Sequence, residues 1–208
     1  MTDKRGLSKR ERKPAPGVEA GLVSTAKGAL ALVRKRGVVT LTPAPGFASL
    51  IEAVVGGPIK GSWWGHEQGG LIFQIATALE DSPDVLATKL VGGKVAFVHR
   101  ALWPSLIRVM TDPAHHQQAI AGLSAAAERL LIDVEKSGSM SQPDKKARTE
   151  LEKRALVVSA SEHTDRGNHV TVLRSWRAWA PRDVADAAAA LPIADAKRRL
   201  ARAGLSWE

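Results

Sequence analysis

A ten-residue segment, GSWWGHEQGG at positions 61–70, holds the densest group of side chains in this chain that could do chemistry. Two of the six tryptophans, Trp63 and Trp64, stand side by side in it, although the chain has only three phenylalanines and no tyrosine. An exposed indole can stack on nucleobases or wedge into a groove, whereas a buried one can anchor a turn between helices. Since adjacent residues rarely bury equally, we expect one ring to pack and the other to be partly exposed, with the anchor role favoured over stacking.

His66 and Glu67 follow the tryptophans at the start of a predicted helix. An imidazole beside a carboxylate suits general acid–base catalysis. However, consecutive residues on a helix diverge by about 100° and do not face each other, and the helix dipole alone explains a glutamate in the first turn. We therefore predict no catalytic residue, and we retain His66 with Trp63 and Trp64 as candidate contacts to nucleic acid.

Other catalytic and metal-binding patterns are absent from the sequence. With no cysteine, the chain has no thiol nucleophile, disulfide or cysteine-based metal site. It contains neither a phosphate-binding loop ending in Gly-Lys-Ser/Thr nor a Gly-x-Ser-x-Gly nucleophile elbow. His163 and His169 flank a predicted turn without a third ligand at suitable spacing, and His99 falls on the apolar face of a predicted hairpin. We expect neither a metal nor a cofactor.

The charge of the chain indicates the class of partner. The formal net charge is +9 and the sequence pI is near 10.2, which favours polyanions and chiefly nucleic acid. Residues 1–17 contain six basic and two acidic side chains and end in Pro-Ala-Pro-Gly, so we predict a disordered basic tail. No apolar run approaches the ~20 residues that span a bilayer, and the N-terminus lacks the apolar core of a secretory signal. A cytoplasmic protein without a membrane partner is expected.

The elements that position these residues are predicted to occur twice in the same order. Residues 18–110 are predicted as helix, short strand, helix, helix and β-hairpin, and residues 123–180 repeat a compressed version after a linker at 111–122. This is the element order of a winged helix, in which a hairpin forms the wing beside a helix-turn-helix. The chain is therefore predicted to be α+β, with two tandem winged-helix-like units between the basic tail (1–17) and a C-terminal helical tail (181–208).

The first predicted hairpin turns at Gly92-Gly93, a pair that suits a two-residue type I′ turn. With that register, one strand face is apolar and forms the core side: Leu86, Thr88, Leu90, Val95, Phe97 and His99. The opposite face carries Ala96 and Val98 together with the three basic residues of the hairpin: Lys89, Lys94 and Arg100. A basic outer face suits contact with phosphates, and a solvated sheet face is the alternative.

The second unit contains a short predicted helix in the segment QPDKKARTELEKR. Charged and polar side chains are predicted to leave it on the sides not occupied by Ala147 and Leu151: Lys145, Lys146, Arg148, Thr149, Glu152 and Lys153. A recognition helix combines phosphate-seeking cations with groups that reach base edges, although any exposed helix can show the same mixture. The hairpin that follows is predicted to turn at Asp165–Asn168.

The block from Gly61 to Pro104, under a quarter of the chain, resembles poorly characterised bacterial winged-helix proteins: GSWWGHEQGGLIF…ALEDSPDVLATKLVGGKVAFVHRALWP. The tandem element order is also similar, as architecture, to that of the winged-helix DNA glycosylases, which remove alkylated bases and repair interstrand crosslinks. That resemblance implies DNA binding. The glutamine-based catalytic motif of that family, Gln-x-Gln or Gln-x-Asp, has no counterpart here, because Gln117 and Gln118 are adjacent. The resemblance therefore implies no activity.

We predict from the sequence a nucleic-acid-binding protein, with duplex DNA favoured over RNA. The predicted contacts are the wings, the helix of the second unit and the basic tail. One alternative is a small DNA-repair-type enzyme, glycosylase-like, that uses the Trp63–Glu67 region. Another is a winged-helix protein-interaction module, for which the alanine-rich C-terminal helix offers a surface to a protein partner or to a second copy of the chain.

Overall fold

The computed structural model describes residues 23–163 and 169–207, which form an α+β fold with two sheets. The first sheet is mixed and has four strands, and the second has three antiparallel strands. The predicted basic tail at 1–17 and the predicted turn at Asp165–Asn168 lie outside the described residues. Within the described ranges, no helix is both long and apolar enough to cross a bilayer.

The first unit follows the predicted order of helix, short strand, two helices and hairpin. Side chains fix the starts of its first two α-helices, since Thr25 accepts a hydrogen bond from the N–H of Gly28 and Ser49 accepts one from the N–H of Glu52. Its elements are α1 (Ala26–Arg36), β1 (Val38–Thr40), β2 (Ala48–Ser49), α2 (Leu50–Val55), a 3₁₀ turn (Trp63–Gly65), α3 (Gly69–Glu80), β3 (Val85–Val91) and β4 (Lys94–His99).

The hairpin of β3 and β4 turns at Gly92-Gly93, where both residues have positive φ as the predicted turn type requires. The predicted register beyond the turn is wrong. An irregularity between Lys89 and Val91 pairs Lys89 with Val95 instead of Ala96. An extra residue on one strand shifts every later pair by one position, so the side chains that share a face differ from those predicted.

Both faces of the first hairpin are buried, so the predicted basic outer face does not form. One face, which includes Val85 and Phe97, packs against α1, α2 and α3. The other, which includes Leu86, Ala96 and Val98, packs against the helices that follow the hairpin. Ala96 and Val98 were predicted to lie on the solvent side, yet neither has any exposed surface. The prediction was wrong because it assumed that this face of the hairpin meets solvent, whereas the helices that follow the hairpin cover it.

The second unit repeats the order with one helix fewer before its hairpin. Its elements are α6 (Ala125–Ser137), β5 (Ser139–Ser141), α7 (Lys145–Lys153), β6 (Val158–His163) and β7 (His169–Arg174). The predicted short strand at 139–141 is confirmed. The sheet order β5-β7-β6 matches the order β1-β4-β3 in the first unit, because in both units the short strand pairs with the second strand of the hairpin.

Helices between and after the units hold the two units together. They are α4 (Trp103–Met110), α5 (Pro113–Ile120), α8 (Trp176–Trp179), α9 (Arg182–Ala189) and α10 (Ile193–Arg202). The segment predicted as a linker contains α5, which begins where Asp112 accepts a hydrogen bond from the N–H of His115. The segment predicted as a helical tail packs against α4, with Val184, Ala196 and Leu200 buried in a core shared by both units. The apolar face of α10 is therefore already covered within the chain.

A tryptophan follows each hairpin and enters that shared core. Trp103 donates its indole N–H to the carbonyl of Val98 (3.0 Å), and Trp176 donates to the carbonyl of Ala155 (2.7 Å). The ring of Trp179 packs edge-on against both indoles, with centroid distances of 5.2 and 6.1 Å. The buried indole N–H groups are therefore satisfied, and the three rings pack together where the two units meet.

Candidate binding groove

The contact between the units is built around a buried carboxylate. Glu152 on α7 was predicted on an outward side of the helix, but it is 1% exposed because α7 packs against β3. Its two oxygens accept from Lys89 Nζ (2.8 Å) and from Ser159 Oγ (2.7 Å). The N–H of Ser159 donates to Thr88 Oγ1 (3.0 Å), which ties β6 to β3. A buried charge must be paired, and here the partner comes from the other unit. Lys89, predicted to contact phosphate, serves instead as the counter-ion of Glu152.

The other two cations of the first hairpin also have partners within the chain. Lys94 donates to the carbonyl of Pro43 (2.6 Å). Arg100 pairs with Asp183 (2.6 Å), and its guanidinium lies 5.5 Å from the centre of the Trp103 ring. The hydrogen bond from Arg100 lowers the pKa of Asp183. Both basic residues remain exposed at the surface. They can approach a ligand, but they are not the free row of cations that the sequence predicted.

The predicted contacts on α7 divide into engaged and free side chains. Arg148 Nε lies 3.5 Å from a Glu152 oxygen, and the Thr149 hydroxyl donates to the carbonyl of Lys145 (2.8 Å). Lys145 and Lys146 are exposed on the first turn of α7, and within the described residues neither ammonium group has a hydrogen-bond or ion-pair partner. These two lysines are the members of the predicted helix surface that remain available to an anion.

The two tryptophans separate into one packed and one exposed ring, as expected. Trp63 packs partly against the core of the first unit, whereas 64% of the Trp64 surface is exposed. The rings stack on each other, with centroids 4.0 Å apart. A Cβ added to Gly69 would lie 2.9 Å from the Trp63 carbonyl oxygen, so the turn requires a glycine there. His66 uses Nδ1 to accept the N–H of Gln68 (3.1 Å), which assigns that atom to holding the turn.

Trp64 continues into a second exposed aromatic ring that the sequence analysis did not identify. Phe73 on α3 is 48% exposed, and its ring centroid lies 5.7 Å from that of Trp64. The large apolar side chains that are exposed in the described residues are these two and Ile132. We call Trp64 and Phe73 the aromatic platform. Two exposed rings in contact form a surface on which flat apolar groups can stack.

The platform opens onto a groove of about 1070 Å³ between the two units. The first unit supplies one wall from α3 and β3, and the second unit supplies the other from β6 and β7. This volume lies at the upper end of the range for ligand sites, and the boundary between domains is a frequent place for them. The charged lining residues comprise three cations and two acids: Lys89, Arg100, Arg174, Glu80 and Asp81.

The cations and the acids of the groove differ in how they are satisfied. Lys89 and Arg100 are paired as described, and Arg174 pairs with Glu162 (2.5 Å). By contrast, within the described residues the carboxylate of Glu80 has no hydrogen-bond or ion-pair partner. Desolvation in the groove wall, together with the negative charge of Asp81, raises the pKa of Glu80.

A second depression of about 620 Å³ adjoins the groove, because Arg100 lines both. Lys27 and Arg34 enter it from α1, and both are exposed and unpaired among the described residues. His99 lies at the end of β4 and accepts the N–H of Ala101 at Nδ1 (3.3 Å), so its Nε2 carries the hydrogen and can donate. We call Lys27, Arg34 and His99 the cationic depression. His99 was predicted on the core side; it shares a strand face with the buried Phe97, but it stands at the end of β4, where it is half-buried and lines this depression.

No cluster of three or more potential metal ligands occurs in the part of the chain that the structure describes. Comparisons with protein-family models, curated proteins and solved structures found no match to this chain.

Proposed function

We propose that this chain binds nucleic acid, with unpaired bases stacked on the aromatic platform and the phosphate backbone extending past Arg100 toward the cationic depression. The observation that carries this proposal is the exposed contact between Trp64 and Phe73 at the mouth of a groove. Every base has a π-face, so an exposed aromatic pair binds bases with little regard to sequence, at about 1–3 kcal/mol per stacked base.

The charge of the chain supports the same partner. A net charge of +9 favours association with a polyanion, and the unpaired cations Lys27 and Arg34 stand beside the groove rather than far from it. The free Nε2–H of His99 adds a donor that suits a phosphate oxygen. The platform and the depression thus offer the two kinds of contact that single strands use, which are stacking and backbone neutralisation.

Unpaired strands fit these surfaces better than the duplex DNA that the sequence favoured. A wing that tracks a duplex needs a free basic face, and the first hairpin is buried on both faces with its cations engaged. Lys145 and Lys146 on α7 remain a separate surface that suits duplex phosphates. We retain duplex binding through α7 as the competing mode.

We also propose that both units are winged-helix-like. The support is the repeated element order together with the repeated pairing of the short strand with the second hairpin strand. In the second unit a single helix stands where the first has two, so any helix-turn-helix there is reduced. A shared architecture assigns no activity to either unit.

Fluorescence anisotropy with labelled single-stranded DNA, duplex DNA and RNA of equal length tests the proposed function. We expect the single strands to bind most tightly, and we expect Trp64→Ala and Phe73→Ala each to weaken that binding about 5- to 150-fold, as the loss of one stacked base requires. Ile132→Ala is the matched control, because it removes an equally exposed apolar side chain from α6. Equal weakening in all three variants, or no binding by the wild-type chain at low salt, would contradict the proposal.

A protein-interaction module is a second candidate with its own support. β3 and β6 are the outermost strands of their sheets, and both line the groove, so an extended peptide could add to either edge. Peptide binding of that kind depends weakly on salt, whereas nucleic-acid affinity falls steeply with it. A salt series therefore separates the two candidates.

The glycosylase-like alternative has less support at Trp63–Glu67. His66 Nδ1 holds the turn through the N–H of Gln68, and Glu67 follows it in sequence without a hydrogen bond to it. The chemistry of an acid–base pair requires the two groups to reach each other or the same substrate atom. We therefore assign this segment to binding.

A further inference from the structure

One side of α3 presents three different side chains to the groove in sequence: Phe73, Thr77 and Glu80. Thr77 follows Phe73 by four residues, and Glu80 follows Thr77 by three, so all three lie on one helix face. The rise along the helix axis from Phe73 to Glu80 is about 10.5 Å. Helical side chains lean toward the N-terminus, which tilts Glu80 back toward Thr77 and the platform. The helix therefore places a hydroxyl and a carboxylate beyond the stacking ring, along one line.

The polar groups of this stripe lack partners among residues 23–163 and 169–207. In the described residues, neither the Thr77 hydroxyl nor the Glu80 carboxylate makes a hydrogen bond. The three cations of the groove are each paired elsewhere, with Glu152, Asp183 and Glu162. The Glu80 side chain is exposed at the groove, so a hydrogen-bond donor on a ligand can reach its carboxylate. Partial desolvation in the groove wall and the negative charge of Asp81 raise the pKa of Glu80.

We infer that the groove selects unpaired bases that carry an exocyclic amino group, with the Glu80 carboxylate accepting from that group while the base stacks on the aromatic platform. This inference rests on the proposed function and adds a base preference to it. Carboxylates accept from the N4 amino group of cytosine, and uracil presents a carbonyl oxygen at the same ring position. Cytosine is thus attracted at a place where uracil meets a repulsive lone pair.

The local charge also fixes which part of a strand enters. Glu80 and Asp81 repel phosphate, whereas the adjoining depression carries Lys27, Arg34 and the shared Arg100 against one acid, Asp84, and so attracts it. A strand bound across the two sites therefore places a base edge, and not its backbone, against α3. Thr77, which can both donate and accept, lies between the ring and the carboxylate and can satisfy a neighbouring atom of the same base.

Anisotropy titrations with labelled oligo-dC and oligo-dU of equal length test this inference on the full chain. Both are pyrimidine strands of the same charge, and they differ at the atom that Glu80 is inferred to read. We expect the wild-type chain to bind oligo-dC about tenfold more tightly, the size of one hydrogen bond to a charged group. Glu80→Ala is expected to bring the two affinities together.

Asp81→Ala is the matched control, because it removes a neighbouring carboxylate and changes the net charge by the same amount. It should raise the affinity for both strands and leave their ratio unchanged. Equal wild-type affinities for the two strands, with binding still lost in Trp64→Ala, would overturn the base preference and leave the proposed function standing. A ratio that collapses equally in both acid variants would also overturn it, since general repulsion would then explain the effect. No binding of either strand would instead contradict the proposed function.

Discussion

The two walls of the groove are built on different principles. On the second-unit wall the charged group, Arg174, is paired, and behind it the buried carboxylate of Glu152 is satisfied by Lys89 and Ser159. On the part of the first-unit wall formed by α3 and the turn before it, Trp64 and Phe73 are exposed, and Glu80 has no hydrogen-bond or ion-pair partner among the described residues. Satisfied groups hold parts of a protein in place, whereas unsatisfied groups are available to a ligand. We therefore propose that the paired groups, with Lys89 among them, position the groove, and that the residues on and beside α3 recognise its ligand.

The largest loss of stability is expected from breaking the ion pair between Lys89 and Glu152, which joins the two units. Lys89→Ala leaves the Glu152 carboxylate buried with one cation fewer, and removing one partner of a buried pair costs about 3–5 kcal/mol. We expect the free energy of unfolding, measured by urea titration, to fall by about 3 kcal/mol. The double variant Lys89→Met, Glu152→Leu removes both charges and should recover most of that loss. A Lys89→Ala chain as stable as the wild type would show that the inter-unit pair does not hold the units together.

A smaller loss of stability is expected from a substitution at Gly69, where the turn that carries Trp63 and Trp64 depends on close backbone contact. Gly69→Ala forces a Cβ to within 2.9 Å of the Trp63 carbonyl oxygen, so the turn that carries the tryptophans must shift. We expect a loss of about 1–2 kcal/mol in stability, in the range of overpacking, together with weaker binding of single strands. Gly70→Ala is the adjacent control, because nothing lies within 4 Å of its added Cβ and alanine favours the helix. Equal thermal shifts in the two variants would contradict the steric explanation.

The cationic depression is expected to contribute a modest electrostatic share of binding. Arg34→Ala removes one unpaired cation beside the groove, so the slope of log K against log salt for a single strand should become shallower by about 0.7. Lys35→Ala is the matched control, since it removes the same charge from the same helix outside the depression. If the two variants change the slope equally, the depression is not a phosphate contact and the effect is one of net charge.

The smallest effect concerns the pH dependence of stability on the recognition side. The pKa of Glu80 is raised in the folded chain, so folding favours its protonated form. The stability that this provides is complete below the ordinary glutamate pKa and is lost as the pH rises through the raised value. Unfolding titrations across that range should show this decline in the wild type and a flatter profile in Glu80→Gln. A steeper profile in the variant would contradict the assigned direction.

Local features of the fold were predictable from the sequence, and features set by distant segments were not. The glycine pair at 92–93 specifies its own turn, and the short strand at 139–141 follows from its flanking helix end. The register beyond the turn depends on a bulge near Leu90, which forms where both faces of the hairpin must be filled. The partner of Lys89 lies 63 residues away, at Glu152, and no local pattern indicates it. The sequence analysis therefore placed Lys89 on a solvent-facing surface, although it is the counter-ion of Glu152.

Some residues of the candidate site could be predicted from the sequence, and others could not. The unequal burial of Trp63 and Trp64 followed from their adjacency. The sequence analysis did not identify Phe73. The sequence did contain a signal for it, since this phenylalanine lies outside the buried face of α3 that Ile72, Ile75 and Leu79 form. Lys27 and Arg34 are seven residues apart on one face of α1, but only the end of β4 completes their depression. Residues that become a site through packing of another segment cannot be recognised in isolation.

Photo-crosslinking with a single-stranded oligonucleotide that carries 5-iodouracil, followed by peptide mapping, tests most directly where nucleic acid binds. The halogenated base couples preferentially to aromatic side chains that it stacks on. If unpaired bases lie on the aromatic platform, the crosslinked peptides will contain Trp64 or Phe73, and Ile132 will stay unmodified. Crosslinks confined to α7 around Lys145 and Lys146, with none at the platform, would contradict the proposal and make the second unit the nucleic-acid surface.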